Sequence, residues 1–191
     1  MAGGRGAVIL AAGASRRMGQ PKALLPWAGS TLLEYAIHEA RSAHVDSLVV
    51  VLGPATRNLR LEVTTAFNPD PETGRSASIR IGTAALPDDI QAVLVQSVDQ
   101  PSPAEVINAL YDALGESADI AIPTYGGRRG HPVCFAGSLL AELRAVTEAE
   151  QGLRAIVRRH AERLVEVPVA TESAIWNLND PQAYAAARAK Q

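Results

Sequence analysis

Between the first apolar run and the first helical pattern, the sequence sets Gly13, Ser15, Arg16, Arg17, Gly19 and Lys22 within a span of ten positions. Glycines let backbone N–H groups approach an anion closely, a serine hydroxyl adds a donor, and three cations neutralise charge. That combination suits a polyphosphate, although a turn flanked by solvated arginines would also use these residues. The glycine spacing matches neither GxxxxGK[ST] nor GxGxxG. A second candidate is Asp99, which directly follows the apolar run 92–98. A carboxylate there is costly unless a cation meets it, and a helix N-cap or a turn aspartate ahead of Pro101 is the alternative. Near the end of the chain, "IWNLNDPQAY" (175–184) offers Asn177, Asn179 and Asp180 before Pro181, a set that can cap a helix.

Two further stretches carry polar groups. In "NPDPETGRSASIRIG" (68–82) the serines stand where helix N-terminal amides can meet an anion, yet asparagine, glycine and serine are also ordinary loop residues. In "GGRRGHPVCF" (126–135), Arg128, Arg129 and His131 form either an anion-receiving cluster or an exposed basic hairpin. Covalent catalysis has no evident agent. There is no GxSxG, Cys134 sits in an apolar run that favours an inert thiol, and His38, His44 and His160 lack metal-ligand spacing.

The elements that must position these residues alternate between short β-branched runs and helical periods, the pattern of a sheet covered by helices. Strands are expected at 7–11, 47–52, 62–67, 92–98, 120–123, 132–135 and 164–167. Helices are expected at 31–43 with Ser30 or Thr31 as N-cap, and at 55–61, 76–85, 103–114, 137–145, 151–159 and 181–189. The run "SLVVVL" is apolar almost throughout, as a strand buried on both faces requires. In such sheets ligands bind beyond the carboxyl ends of the strands, where the first loop and Asp99 both fall.

The 191 residues fit a single domain spanning 1–191, with 47% hydrophobic and 20% charged residues and a formal charge of −2. This balance argues against nonspecific nucleic-acid binding. No stretch approaches the roughly 20 apolar residues of a membrane span. The opening imitates an export signal only loosely, because Arg16 and Arg17 follow its short apolar run at once. One cysteine permits no intrachain disulfide, consistent with a cytoplasmic location.

The segment "LAAGASRRMGQPK" (10–22) resembles the LAAGxSxRMGxxK signature of the MobA-like nucleotidyltransferases, especially the molybdenum cofactor cytidylyltransferases, at every fixed position. The resemblance implies a GT-A-like (Rossmann-like) α/β fold, a three-layer sandwich with a mostly parallel central sheet, binding an NTP over this loop. It implies that Leu10, Ala11, Ala12, Gly13 and Ser15, with Asn68, Gly74 and Ser78, surround the nucleotide. By the same resemblance Arg17 and Lys22 hold the triphosphate, and Asp99 holds Mg²⁺ with Asn179 as second metal ligand. Asn177 and Asn179 stand where many cytidylyltransferases have DIDTPED acids and guanylyltransferase relatives have asparagines. The GHP triplet is typical of the cytidylyltransferase branch and implies that Arg128 and His131 meet the acceptor.

The implied partners are CTP and a phosphorylated small molecule such as molybdopterin, with transient contact to a molybdoenzyme or its chaperone, and neither nucleic acid nor membrane. The implied reaction is attack of the acceptor phosphate on the α-phosphorus, where a fixed ammonium at Lys22 and two parallel guanidinium donors at Arg17 stabilise charge. The alternatives are transfer from GTP, another phosphate acceptor, or nucleotide binding without turnover.

Overall fold

The computed structural model describes residues 4–13, 15 and 18–191. Its strands are β1 (Arg5–Ala11), β2 (Pro26–Trp27), β3 (Ser30–Thr31), β4 (Ser47–Leu52), β5 (Thr64–Phe67), β6 (Ala92–Ser97), β7 (Ile120–Tyr125), β8 (Arg128–Arg129), β9 (Val133–Ala136) and β10 (Leu164–Pro168). Its α-helices are α1 (Leu32–Ser42), α2 (Arg75–Ala84), α3 (Ala104–Asp112), α4 (Leu140–Ala145), α5 (Leu153–Arg159) and α6 (Pro181–Arg188). Among the described residues the main sheet is ordered β10-β7-β9-β6-β1-β4-β5, with β8 paired to β7, and β2 and β3 form a small hairpin.

The sheet is mostly parallel. β1 pairs in parallel with β4 and with β6, β4 with β5, and β10 with β7, whereas β9 runs antiparallel between β6 and β7. Side chains alternate across β1 with the period of two that a strand imposes. Ile9 and Ala11 pack with Leu32, Leu33 and Ala36 of α1, and Ala7 packs with Ile107 and Leu110 of α3. Val8 and Leu10 face the opposite side, against Ile79 of α2 and Leu140 and Leu143 of α4. Helices therefore cover both faces, giving the three-layer sandwich that the alternation of elements predicts.

The connections decide where a ligand can enter. From β1 the chain passes through α1 to β4 on one side, then from β5 through α2 to β6 on the other. The strand order thus reverses between β1 and β6, leaving a crevice beyond their carboxyl ends, the usual binding place in an open α/β sheet. Register places Leu10 opposite Ser97 across that crevice.

Local chemistry explains several boundaries. Thr31 caps α1, accepting a hydrogen bond from the Glu34 N–H while the Glu34 side chain accepts one from the Thr31 N–H. Pro103 is the N-cap residue of α3, one position ahead of the first turn. The helix expected at 55–61 does not form. Successive turns replace it, and the Thr56 hydroxyl bonds to Gly53 and to the Ala11 carbonyl rather than facing solvent from a helix. The glycine-rich stretch after β7 is a hairpin through Gly126 and Gly127 into β8. Among the described residues no helix is long and apolar enough to cross a membrane.

Candidate active site at the carboxyl ends of β1 and β6

The crevice opens as a cleft of about 210 Å³, whose lining includes Leu10, Ala11, Ala12, Gly13, Ser15 and Lys22 from the first segment. Gly74, the N-cap of α2, and Ser78 within α2 line it from the second predicted stretch, and Asp99 lines it from just beyond β6. Asn68 stands behind this wall. It is buried, and its Nδ2 donates to Ser78 Oγ at 2.8 Å, so it orients a lining residue. Arg16 and Arg17 lie outside the described residues.

At the lip of the cleft three segments meet on one ammonium. Lys22 Nζ donates to Asp99 Oδ2 at 2.6 Å and to Asn179 Oδ1 at 2.5 Å. Both ends of the ion pair are largely withdrawn from water, which strengthens the attraction and raises the cost of leaving either group alone. The loop helps to place the lysine: its backbone N–H donates to Ser15 Oγ at 2.8 Å. The tail is clamped by Leu178, buried against Trp27 and its neighbours, while its N–H donates to the Asp99 carbonyl at 2.9 Å. With Leu178 turned inward, Asn177 and Asn179 reach toward the site. Asn179 Nδ2 donates to Asn177 Oδ1 at 2.6 Å, which directs the Asn179 carbonyl at the lysine. Asp180, and not Asn179, caps α6 by accepting from the Ala183 N–H.

A larger cavity of about 930 Å³ adjoins the cleft, and Leu10, Arg75 and Ser97 line both. His131 and Asn177 line this second space, with Gln100 at its floor. Burial lowers the His131 pKa below 6.5, and the Arg75 charge pushes in the same direction against a smaller pull from Asp99. The ring is therefore neutral near pH 7, able to hydrogen-bond but not to act as an imidazolium. Gly130 lets the hairpin approach: a Cβ there would stand 2.0 Å from the Ala174 carbonyl oxygen, while the His131 N–H donates to that same oxygen at 2.7 Å. Arg128 is exposed at the tip of the hairpin and lines neither cavity. Arg129 pairs with Glu166 at 2.7 Å.

Sequence reasoning passed over Arg75, Glu148, Arg154 and Arg158, all of which line the larger cavity. Arg75 carried a readable signal. A cation in the first turn of a helix opposes the helix dipole, and such a position favours a residue that serves a bound anion. The other three come from elements far along the chain. Cys134 is buried in β9, and burial pushes its thiol far above the usual range, leaving it inert.

Lys22 already shows what Asp99 and Asn179 can hold. Two hard oxygens converge on one cation, which suits a divalent ion that takes one or two protein oxygens and completes its shell with water and phosphate. Among the described residues no three His, Cys, Asp or Glu side chains form a metal cluster.

Comparison with known proteins bears on the family and the fold. Residues 7–164 match the MobA-like NTP transferase domain. The chain is similar to a nicotine blue oxidoreductase of Paenarthrobacter nicotinovorans, 30% identical over 173 residues that cover 80% of each chain. It is also similar to a molybdenum cofactor guanylyltransferase of Sinorhizobium fredii, 30% identical over 193 residues, 92% of this chain and 87% of that one. In fold it superposes on Rv0371c of Mycobacterium tuberculosis H37Rv with a TM-score of 0.84 at 24% identity, covering 99% and 100% of the two chains. The same protein has been solved in complex with manganese, with a TM-score of 0.82. The chain belongs to the MobA-like NTP transferase family.

Proposed function

We propose that the chain transfers CMP from CTP to a phosphorylated acceptor of the molybdopterin class, releasing pyrophosphate, in the cytoplasm and with Mg²⁺. The observation that carries this reading is the meeting of Lys22, Asp99 and Asn179 on the lip of the cleft formed by Leu10 to Gly13. The nucleotide lies in that cleft, its base against the backbone of Leu10 to Gly13 and beside Ser78, which Asn68 holds in place. Its phosphates lie toward Lys22, and toward Arg17 by resemblance to the family motif. The acceptor comes from the larger cavity, so that Arg75, common to both spaces, stands between the two charged reactants.

An acceptor phosphate oxygen forms a bond to the α-phosphorus as the bond from that phosphorus to the bridging oxygen breaks, and the electron pair leaves with pyrophosphate. Alignment and charge stabilisation supply the catalysis, without a protein nucleophile. Asp99 and Asn179 would hold the Mg²⁺, which when bound neutralises phosphate charge. Lys22 stabilises the charge that gathers on the leaving group. Neutral His131 orients the acceptor by hydrogen bonding.

A second reading, transfer from GTP, is favoured by Asn177 and Asn179, the residue type of the guanine branch, and by the activity named for the Sinorhizobium relative. The Paenarthrobacter relative is named an oxidoreductase, so turnover has to be measured and does not follow from the fold. Pyrophosphate release is followed with each NTP, with and without molybdenum cofactor and divalent metal. Release that requires CTP, acceptor and metal together supports the first reading. Preference for GTP in competition replaces it with the second, and no release with any pairing removes both.

A further inference from the structure

The larger cavity is strongly basic, and the one carboxylate turned onto its helix end sits in an unusual place. Arg75 opens α2, while Arg154 and Arg158, four positions apart on α5, present one face to the same space. Among the described residues none of the three is in an ion pair. Glu148 enters from the loop between α4 and α5, and its Oε1 accepts from the Ser76 N–H at 2.6 Å. Room for it is made by Gly74, at φ +112°, where a Cβ would stand 2.3 Å from Glu148 Cγ. A second group at this helix end stays unsatisfied. Ser76 is 1% exposed and its hydroxyl has no hydrogen-bond partner.

A carboxylate is a poor match for this set of donors, because it satisfies the amide and leaves the hydroxyl and three guanidinium groups unmet. A phosphate has enough oxygens for the amide, the hydroxyl and an arginine together, and helix N-termini favour it. We propose that the amino end of α2, with Ser76, Arg75, Arg154 and Arg158, is a phosphate-binding site that Glu148 occupies in the free chain and vacates for the ligand. Naming that phosphate the acceptor's rests on the transferase reading above; the existence of the site does not. The site then places the acceptor's anion beside Arg75, which also borders the nucleotide cleft. Glu148 acts as a competing internal ligand, so apparent affinity falls by the fraction of molecules in which it has moved away.

Inorganic phosphate is the probe, titrated into the ¹⁵N-labelled chain while backbone amide shifts are followed. Glu148→Ala and Glu148→Gln are expected to tighten the phosphate affinity read at Ser76 and its neighbours by about tenfold or more, the size of a modest pre-equilibrium being removed. Adding Arg154→Ala and Arg158→Ala to either variant is expected to reverse the gain. The proposal is overturned if phosphate moves only amides around Lys22, if neither Glu148 variant changes the affinity at Ser76, or if both variants lose the fold and so reveal a purely structural cap. Absence of pyrophosphate release would defeat the transferase reading and leave this result standing, and the converse also holds.

Discussion

Lys22 Nζ lies 2.6 Å from Asp99 Oδ2, an ion pair between residues 77 positions apart at the lip of the cleft beyond β1 and β6. The ammonium sits where the two metal-ligand candidates converge, so lysine and divalent ion compete for one carboxylate. Replacing Lys22 by Met is expected to tighten Mn²⁺ binding to the nucleotide-free chain by about tenfold, equivalent to about 1.4 kcal/mol. The same variant should lose about a hundredfold or more in pyrophosphate release, the scale of removing one charge-stabilising donor. Asp99→Asn should lose both metal binding and turnover. Manganese electron paramagnetic resonance separates the two effects, and unchanged Mn²⁺ affinity in the lysine variant would show that the ammonium does not compete.

The Asn179 amide is oriented by Asn177, whose carbonyl takes the Asn179 Nδ2 hydrogen. Ligand charge tunes divalent affinity, so Asn179→Asp should lower the metal concentration for half-maximal binding by about tenfold. Asn177→Ala removes the acceptor that holds the amide, letting Asn179 turn its NH₂ toward the cation, and should weaken metal binding. Asn177→Asp retains an acceptor and should preserve it. Equal behaviour of the alanine and aspartate variants at position 177 would show that orientation does not matter.

The parts legible in sequence were those written in one contiguous stretch. The run 47–52 is β4 without adjustment, and Thr31, one of the two caps expected, caps α1, because apolar spacing and a capping hydroxyl are local signals. The first loop and Asp99 could be placed at strand ends for the same reason. What escaped was set by contacts between distant segments. β9 enters the sheet antiparallel between β6 and β7, an order that no local pattern encodes. Thr56 abandons a helical stretch for the Ala11 carbonyl 45 positions away. The cavity arginines of α5 stay exposed, and only the fold, not any local pattern, brings them to the same cavity as Arg75, whereas Arg128, which the GHP neighbourhood recommended, stands outside both cavities.

Buried His131 makes stability depend on pH in a stated direction. Burial, aided by Arg75, holds its pKa in the folded chain below the ordinary 6.5, so just below pH 6.5 the unfolded chain binds the proton that the folded chain refuses. Stability therefore rises with pH across this window and is lost as pH falls through 6.5 toward the folded pKa. Urea midpoints measured between neutral pH and that lower value should fall more steeply for the wild type than for His131→Gln. Parallel slopes would mean that the imidazole charges freely in the folded chain.

Thr56 offers a test of how far the floor of the nucleotide cleft depends on residues that never touch it. Its hydroxyl donates to the Ala11 carbonyl at 3.2 Å and accepts from the Gly53 N–H at 3.0 Å, and the residue is 2% exposed. Thr56→Val keeps the shape and strands both backbone groups in a dry setting, which costs about 1–3 kcal/mol of stability, read from denaturant midpoints. Ala11 lies in the cleft lining, so the loosened strand end should also raise the KM for the nucleotide by a few-fold, about 1 kcal/mol, with kcat little changed. A stability loss with unaltered KM would mean that the hydroxyl braces the β1–β4 edge alone, and that the cleft takes its shape from the sheet without it.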